Sequence, residues 1–147
     1  MKTWVVIANS SFAEFFEISG KKTKKIEQLD YPEGRQREGD LASDRPGRTF
    51  NRMANGHRHA FQSTLHAHAQ EVFAQQIADK LHAAWNNHAF TQLVLIAGPD
   101  MLGELRHAIS TGVKKTVWKE FVKDFSGYLS EEERIRNIHG LLEMESS

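Results

Sequence analysis

Leu93-Val94-Leu95-Ile96-Ala97-Gly98-Pro99-Asp100 is the stretch on which the fold turns. A strand covered on one face alternates apolar and polar side chains, whereas an unbroken apolar run of this length, closed by Gly-Pro, reads as a central strand buried on both faces. Such a strand needs helices above and below it. Pro99 or Asp100 opens a helix directly after the strand, with Met101, Leu102, Leu105 and Ile109 as its inner face and Gly112 as its stop.

Working toward the N-terminus, Val72, Phe73, Ile77, Leu81 and Trp85 recur at helical spacing, which predicts an amphipathic helix over roughly Leu65 to Asn87. Thr3 to Ala8, rich in β-branched and aromatic residues, reads as a buried strand ending in an Asn9-Ser10-Ser11 turn. Phe12 to Ile18 is a second strand bounded by Ser19-Gly20, and Lys24 to Leu29 is the third of a meander. Toward the C-terminus, Val113 to Phe121 alternates and predicts a strand, and Ser130 followed by Glu133 is a capping box for a helix from Glu131 to about Glu143. The expected architecture is a single α/β domain spanning 1–147, with a mixed sheet in βββαβαβα order and helices packed on it. Sheets of this order occur in ribonuclease H-like folds.

Composition narrows the chemistry. The 147 residues hold no Cys, which excludes disulfide scaffolds, thiolate metal centres and cysteine nucleophiles. The apolar runs are far shorter than the ~20 residues of a membrane helix, and Asn9, Ser10, Ser11 and Glu14 interrupt any secretory h-region, so a cytoplasmic protein without membrane insertion is expected. Lys+Arg 19 balances Asp+Glu 19, but the charges are zoned. Lys21, Lys22, Lys24 and Lys25 form a basic run, and glutamates weight the C-terminus. Between Lys25 and Lys80 every cation is an arginine: Arg35, Arg37, Arg45, Arg48, Arg52 and Arg58.

That arginine interval coincides with a stretch, from Tyr31 to about Thr64, that has neither helical nor strand period and carries Pro32, Gly34, Gly39, Pro46, Gly47 and Gly56. It reads as a long functional loop. Planar guanidinium groups suit bidentate phosphate contact and stacking on bases, and Phe50 and Phe61 add stacking surfaces. Arg45 and Arg48 are the candidates for phosphate contact, and His57, Arg58 and His59 for contact at the loop tip. The alternative is that the arginines pair with Glu33, Glu38, Asp40 and Asp44 to hold the loop, with the phenylalanines as its anchors.

Two chemistries fit poorly. His57, His59, His66 and His68 crowd one segment, but in a helix residues two apart point to different sides, so their spacing does not build a metal site. Nuclease chemistry of the ribonuclease H type needs carboxylates clustered on the central strands to hold magnesium. Here the first strand ends in Asn9 and the fourth offers only Asp100. No phosphate-binding Gly-rich loop, nucleophile elbow or dinucleotide fingerprint occurs, and no cofactor is implied.

The sequence resembles the bacterial host attachment protein family. The resemblance rests on Trp4 to Asn9, Tyr31-Pro32-Glu33-Gly34-Arg35, Ser43-Asp44-Arg45-Pro46-Gly47-Arg48, Gly56-His57-Arg58-His59-Ala60, Leu93 to Pro99, and Lys123-Asp124-Phe125 before Leu129-Ser130-Glu131-Glu132. That family looks related to the central, peptidyl-tRNA-hydrolysing domain of archaeal and eukaryotic release factors, which carries a Gly-Gly-Gln tip on a loop before a long helix. The resemblance implies a release-factor-like fold and a loop directed at RNA, with the ribosome or tRNA as partner. Asn55-Gly56-His57 stands where the tip would be, and Gln62 lies further on, so hydrolysis of tRNA esters is an alternative rather than the expectation. A second alternative is adhesion at the host-cell surface.

Overall fold

The computed structural model describes residues 2–32, 52–124 and 130–146, with side chains for 2–32, 67–124 and 130–143. Its strands are β1 (Thr3–Ala8), β2 (Phe12–Ser19), β3 (Lys22–Asp30), β4 (Gln92–Ala97) and β5 (Val117–Val122). The helices among the described residues are α1 (Arg52–Asn86), α2 (Pro99–Ala108), α3 (Thr111–Thr116) and α4 (Glu131–Ser146). All five strands form one mixed sheet in the order β3-β2-β1-β4-β5. β1, β2 and β3 pair antiparallel as a meander, while β4 lies parallel to β1 and β5 parallel to β4. This is the single-sheet α/β architecture that the apolar Leu93–Ala97 run predicts.

β1 and β4 are the centre. Val5, Val6, Val94, Leu95 and Ala97 are fully buried, and the two strands meet in register from Thr3 beside Gln92 to Ala8 beside Ala97. Alternation sends Trp4, Val6, Ala8, Leu93, Leu95 and Ala97 to a core shared with Phe73, Ile77 and Leu81 of α1 and Leu102 and Leu105 of α2. Val5, Ile7, Val94 and Ile96 face the other way, onto Phe16 and Ile138, with Ile135, Leu141 and Leu142 of α4 packed around them. A strand pair with no polar face requires this double cover.

α4 docks through a charge as well as through Ile138. Glu14 on β2 is almost completely buried, with Lys25 Nζ 2.8 Å from one carboxylate oxygen and Arg134 Nε of α4 2.7 Å from the other. The Arg134 guanidinium also lies over the Phe12 ring, 5.8 Å from its centre. Two cations on one buried carboxylate compensate its lost hydration, and the geometry fixes where α4 lies on the sheet. Ser130 caps α4 as expected: its Oγ accepts from Glu133 N and donates to the Glu133 carboxylate, each at 3.2 Å.

Three boundaries depart from the sequence reading. First, α1 begins at Arg52 rather than near Leu65, so the last part of the expected 31–64 loop is helical. Its early residues include Met53, Ala54, Arg58, Ala60, Gln62 and Leu65, all good helix formers, but they carry no apolar stripe by which periodicity could detect them. Second, the strand expected over Val113–Phe121 begins only at Val117. Ser110 Oγ accepts from Val113 N at 3.3 Å and nucleates the short helix α3, so the observed order is βββαβααβα. Third, Gly112 does not stop α2, which ends at Ala108 with Ile109 extended. Gly112 lies inside α3, where a Cβ would stand 2.5 Å from Cη2 and 2.7 Å from Cζ2 of Trp85. The C-terminus of α1 closes with Ala89 N donating to Ala84 O and His88 N to Trp85 O, and His88 takes the left-handed conformation at φ 59°.

Two stability measurements follow from this packing. Gly112→Ala is expected to cost about 1–3 kcal/mol in urea unfolding, because the Trp85 indole has to move. Glu14→Gln is expected to cost roughly 3 kcal/mol by leaving Arg134 and Lys25 without their counter-charge, and the double variant E14L/R134L should recover part of that loss.

Candidate functional site

The carboxyl ends of β1, β4 and β5 all lie on the same edge of the sheet, because the three strands are parallel. Open α/β sheets place their crevices at that edge. Here it holds a crevice of about 220 Å³ lined by Asn9 and Ser10 after β1, by Gly98, Pro99, Asp100 and Met101 at the start of α2, by Asp124 after β5, and by Gln70 of α1. Gly98 caps α2 in an extended conformation, and Pro99 sits in its first turn, where a missing N–H costs nothing. Asp100 then places a carboxylate against the positive end of the α2 dipole.

Asn9, which the sequence marks as the residue standing in place of a strand-end carboxylate, has a structural task. Its Oδ1 accepts from Ser11 N at 2.8 Å, Phe12 N at 2.9 Å and Ser11 Oγ at 3.1 Å, and its own N donates to Phe12 O at 2.9 Å. The side-chain oxygen therefore closes the β1–β2 turn. Asn9 and Asp100 are brought together as the topology demands, and the structure adds Asp124, which the sequence reading placed only within a family motif. Its place at the end of a third parallel strand is the signal that identifies it. Among the described residues, no group of three or more His, Asp or Glu side chains could hold a metal ion.

α1 gives the crevice its roof. Gln70 stands at the level of the strand ends; Ala69 beside it is buried, while Ala67 and His68 are exposed. The helix nevertheless continues for 18 residues N-terminal to Gln70, back to Arg52. At 1.5 Å per residue its 35 residues run about 52 Å, against roughly 20 Å for the six-residue strands β1 and β4, so α1 overruns the carboxyl edge of the sheet. From Arg52 to Gln70 the sequence holds two arginines, four histidines and no carboxylate, and no acidic residue lies in the first turn.

The sequence-derived site residues divide accordingly. His57, Arg58 and His59 fall on the α1 backbone within this overrun, not on a loop; their side chains, like that of His66, lie outside those described. Arg45 and Arg48, with Glu33, Glu38, Asp40, Asp44 and Phe50, lie outside the described residues. The flanks of that segment are in place. Tyr31 N donates to Ser11 O at 2.8 Å beside the crevice turn, and the Tyr31 ring stacks on Phe73 of α1 at 5.1 Å between centres. The described residues on either side of that segment thus stand at the crevice edge and at the far end of the helix that roofs it.

Fold and site define an α/β domain with a strand-end crevice overrun by a long helix. A family model described as "Protein required for attachment to host cells" matches residues 4–136, and the chain belongs to that family. No curated protein matches the chain. Among solved structures, an archaeal translation termination factor is similar at 7% identity and a TM-score of 0.48, covering 99% of this chain and 40% of that one. Another, described as an archaeal protein, is similar at 8% identity and a TM-score of 0.45, covering 98% of this chain and 39% of that one. The chain therefore spans about 40% of the length of these solved structures. No helix among the described residues is long and apolar enough to cross a membrane.

The Asn9 geometry is directly testable. Asn9→Ala removes an acceptor for two backbone amides and should cost about 1–2 kcal/mol in urea unfolding, whereas Asn9→Asp keeps the acceptor and should stay within about 0.5 kcal/mol of the parent.

Proposed function

We propose that this member of the host attachment family is an RNA- or ribosome-directed binding module that presents arginine and histidine side chains from α1 and from the segment preceding it. The observation that carries the reading is the charge of the α1 overrun: Arg52 to Gln70 holds Arg52, Arg58 and four histidines without one carboxylate, in a chain whose total of cations equals its total of anions. Cations with no carboxylate near them in sequence, at the positive end of a long helix dipole, favour a polyanion. Arg45 and Arg48 are assigned to phosphate contact, and His57, Arg58 and His59 to contacts nearer the helix start. The acidic crevice below, with Asp100 and Asp124, is a poor phosphate receptor and marks the limit of the contact rather than its centre.

The family description favours a second reading, a direct role in adhesion at the host-cell surface. An attachment phenotype also arises indirectly from a protein acting on gene expression inside the cell. Fractionation with surface proteolysis separates the two, because a direct adhesin is recovered at the cell surface and cut there.

For the RNA reading, affinity for total tRNA or ribosomal RNA is expected to fall steeply as salt rises. R45Q/R48Q should weaken binding and lower the salt slope by roughly 0.7 to 0.9 for each phosphate that is no longer neutralised. Binding that is flat across salt, or unchanged in the double variant, overturns the reading.

A further inference from the structure

Among the described residues, the large hydrophobic side chains that stand exposed are Trp118, 45% accessible, and Val122, 57% accessible. Both belong to β5, the outermost strand on its side of the sheet. Around them the sequence from Lys114 to Lys123 carries four lysines and one glutamate. Lys119 Nζ lies 5.6 Å from the Trp118 ring centre, and Lys114, Lys115 and Lys123 are exposed with no carboxylate in ion-pair distance among the described residues. The glutamate does not offset them. Glu120 is taken by Arg106 of α2, whose Nε and Nη2 donate to one carboxylate oxygen at 3.0 and 2.6 Å. That hydrogen bond, and then the charge behind it, raises Arg106 above the ordinary arginine value.

We propose that the β5 edge is a second contact for single-stranded nucleic acid, with Trp118 as a stacking platform for a base and Lys114, Lys115 and Lys123 as the phosphate track. An exposed indole flanked by lysines is the arrangement that binds single strands without sequence preference. The proposal rests on the RNA reading of α1 and extends it: Lys123, whose N bonds Ala97 O, stands beside the crevice that α1 overruns, and Trp118, Lys114 and Lys115 continue the surface from there toward the opposite, amino end of β5. A bilayer fits the patch less well, because Trp118 and Val122 are separated by Glu120 and make no continuous apolar face.

The test is fluorescence anisotropy of a labelled oligouridine of about twelve nucleotides with the full chain. Trp118→Ala is expected to weaken binding about tenfold while Trp118→Phe stays within about threefold, and K115Q/K123Q should lower the salt slope by about 0.7 per lysine. Thermal unfolding of W118A should match the parent, because the side chain is exposed. Equal affinity of W118A and the parent overturns the proposal, as does Trp118-dependent binding to phosphatidylserine vesicles with no effect on the oligonucleotide. A parallel R52Q/R58Q variant separates the two readings. Loss there with W118A unaffected leaves only the α1 surface, and loss in W118A alone leaves only the β5 edge. If the parent does not bind, both readings fall.

Discussion

The parallel pairing of β1 with β4 is the constraint from which the rest of the molecule follows. Both strands consist of apolar residues on both faces, in register from Thr3 and Gln92 to Ala8 and Ala97, so water has to be excluded above and below. Parallel strands cannot be joined by a tight turn, and the connection between them carries α1, which returns the chain to the starting edge and covers one face. α4 covers the other. It is a single helix with one fully buried residue, Ile138, and its seat depends on the Glu14 cluster as well as on apolar contact.

The same pairing aligns the carboxyl ends of β1, β4 and β5, and with them Asn9, Asp100 and Asp124, in one crevice. The Asn9 side-chain oxygen accepts its hydrogen bonds within the β1–β2 turn, and among the described residues the carboxylates that line the crevice are those of Asp100 and Asp124. What distinguishes the edge is its electrostatic layering. Asp100 and Asp124 line a crevice beneath a helix whose sequence from Arg52 to Gln70 holds arginine and histidine and no carboxylate.

The balance of 19 cations against 19 anions acquires a structural account in these terms. Glu131, Glu132 and Glu133 occupy the first turn of α4, where they favour its dipole. Of the lysine run, Lys25 is committed to Glu14, while Lys80 of α1 pairs with Glu27 on β3. Those charges serve the fold. Other cations are gathered by the sequence along α1 at Arg52 and Arg58 and around β5 from Lys114 to Lys123.

The central strand, the meander, the Ser130 cap and the helix opening at Pro99 were legible in the residues, because burial on both faces, turn chemistry and caps leave local marks. The N-terminal part of α1 left none, because its residues from Arg52 to Thr64 carry no apolar period. α3 was hidden by the β-branched alternation of Thr116 and Val117, against which the Ser110 cap prevailed. The carboxylate of Asp124 joins Asp100 only through strand order, and Gly112 turns out to make room for Trp85, 27 positions before it. Local chemistry in the sequence thus determined which segments pair and which faces are buried. Tertiary structure alone decided what meets at the strand ends and how far α1 reaches past them, because both depend on distances between residues far apart in the chain.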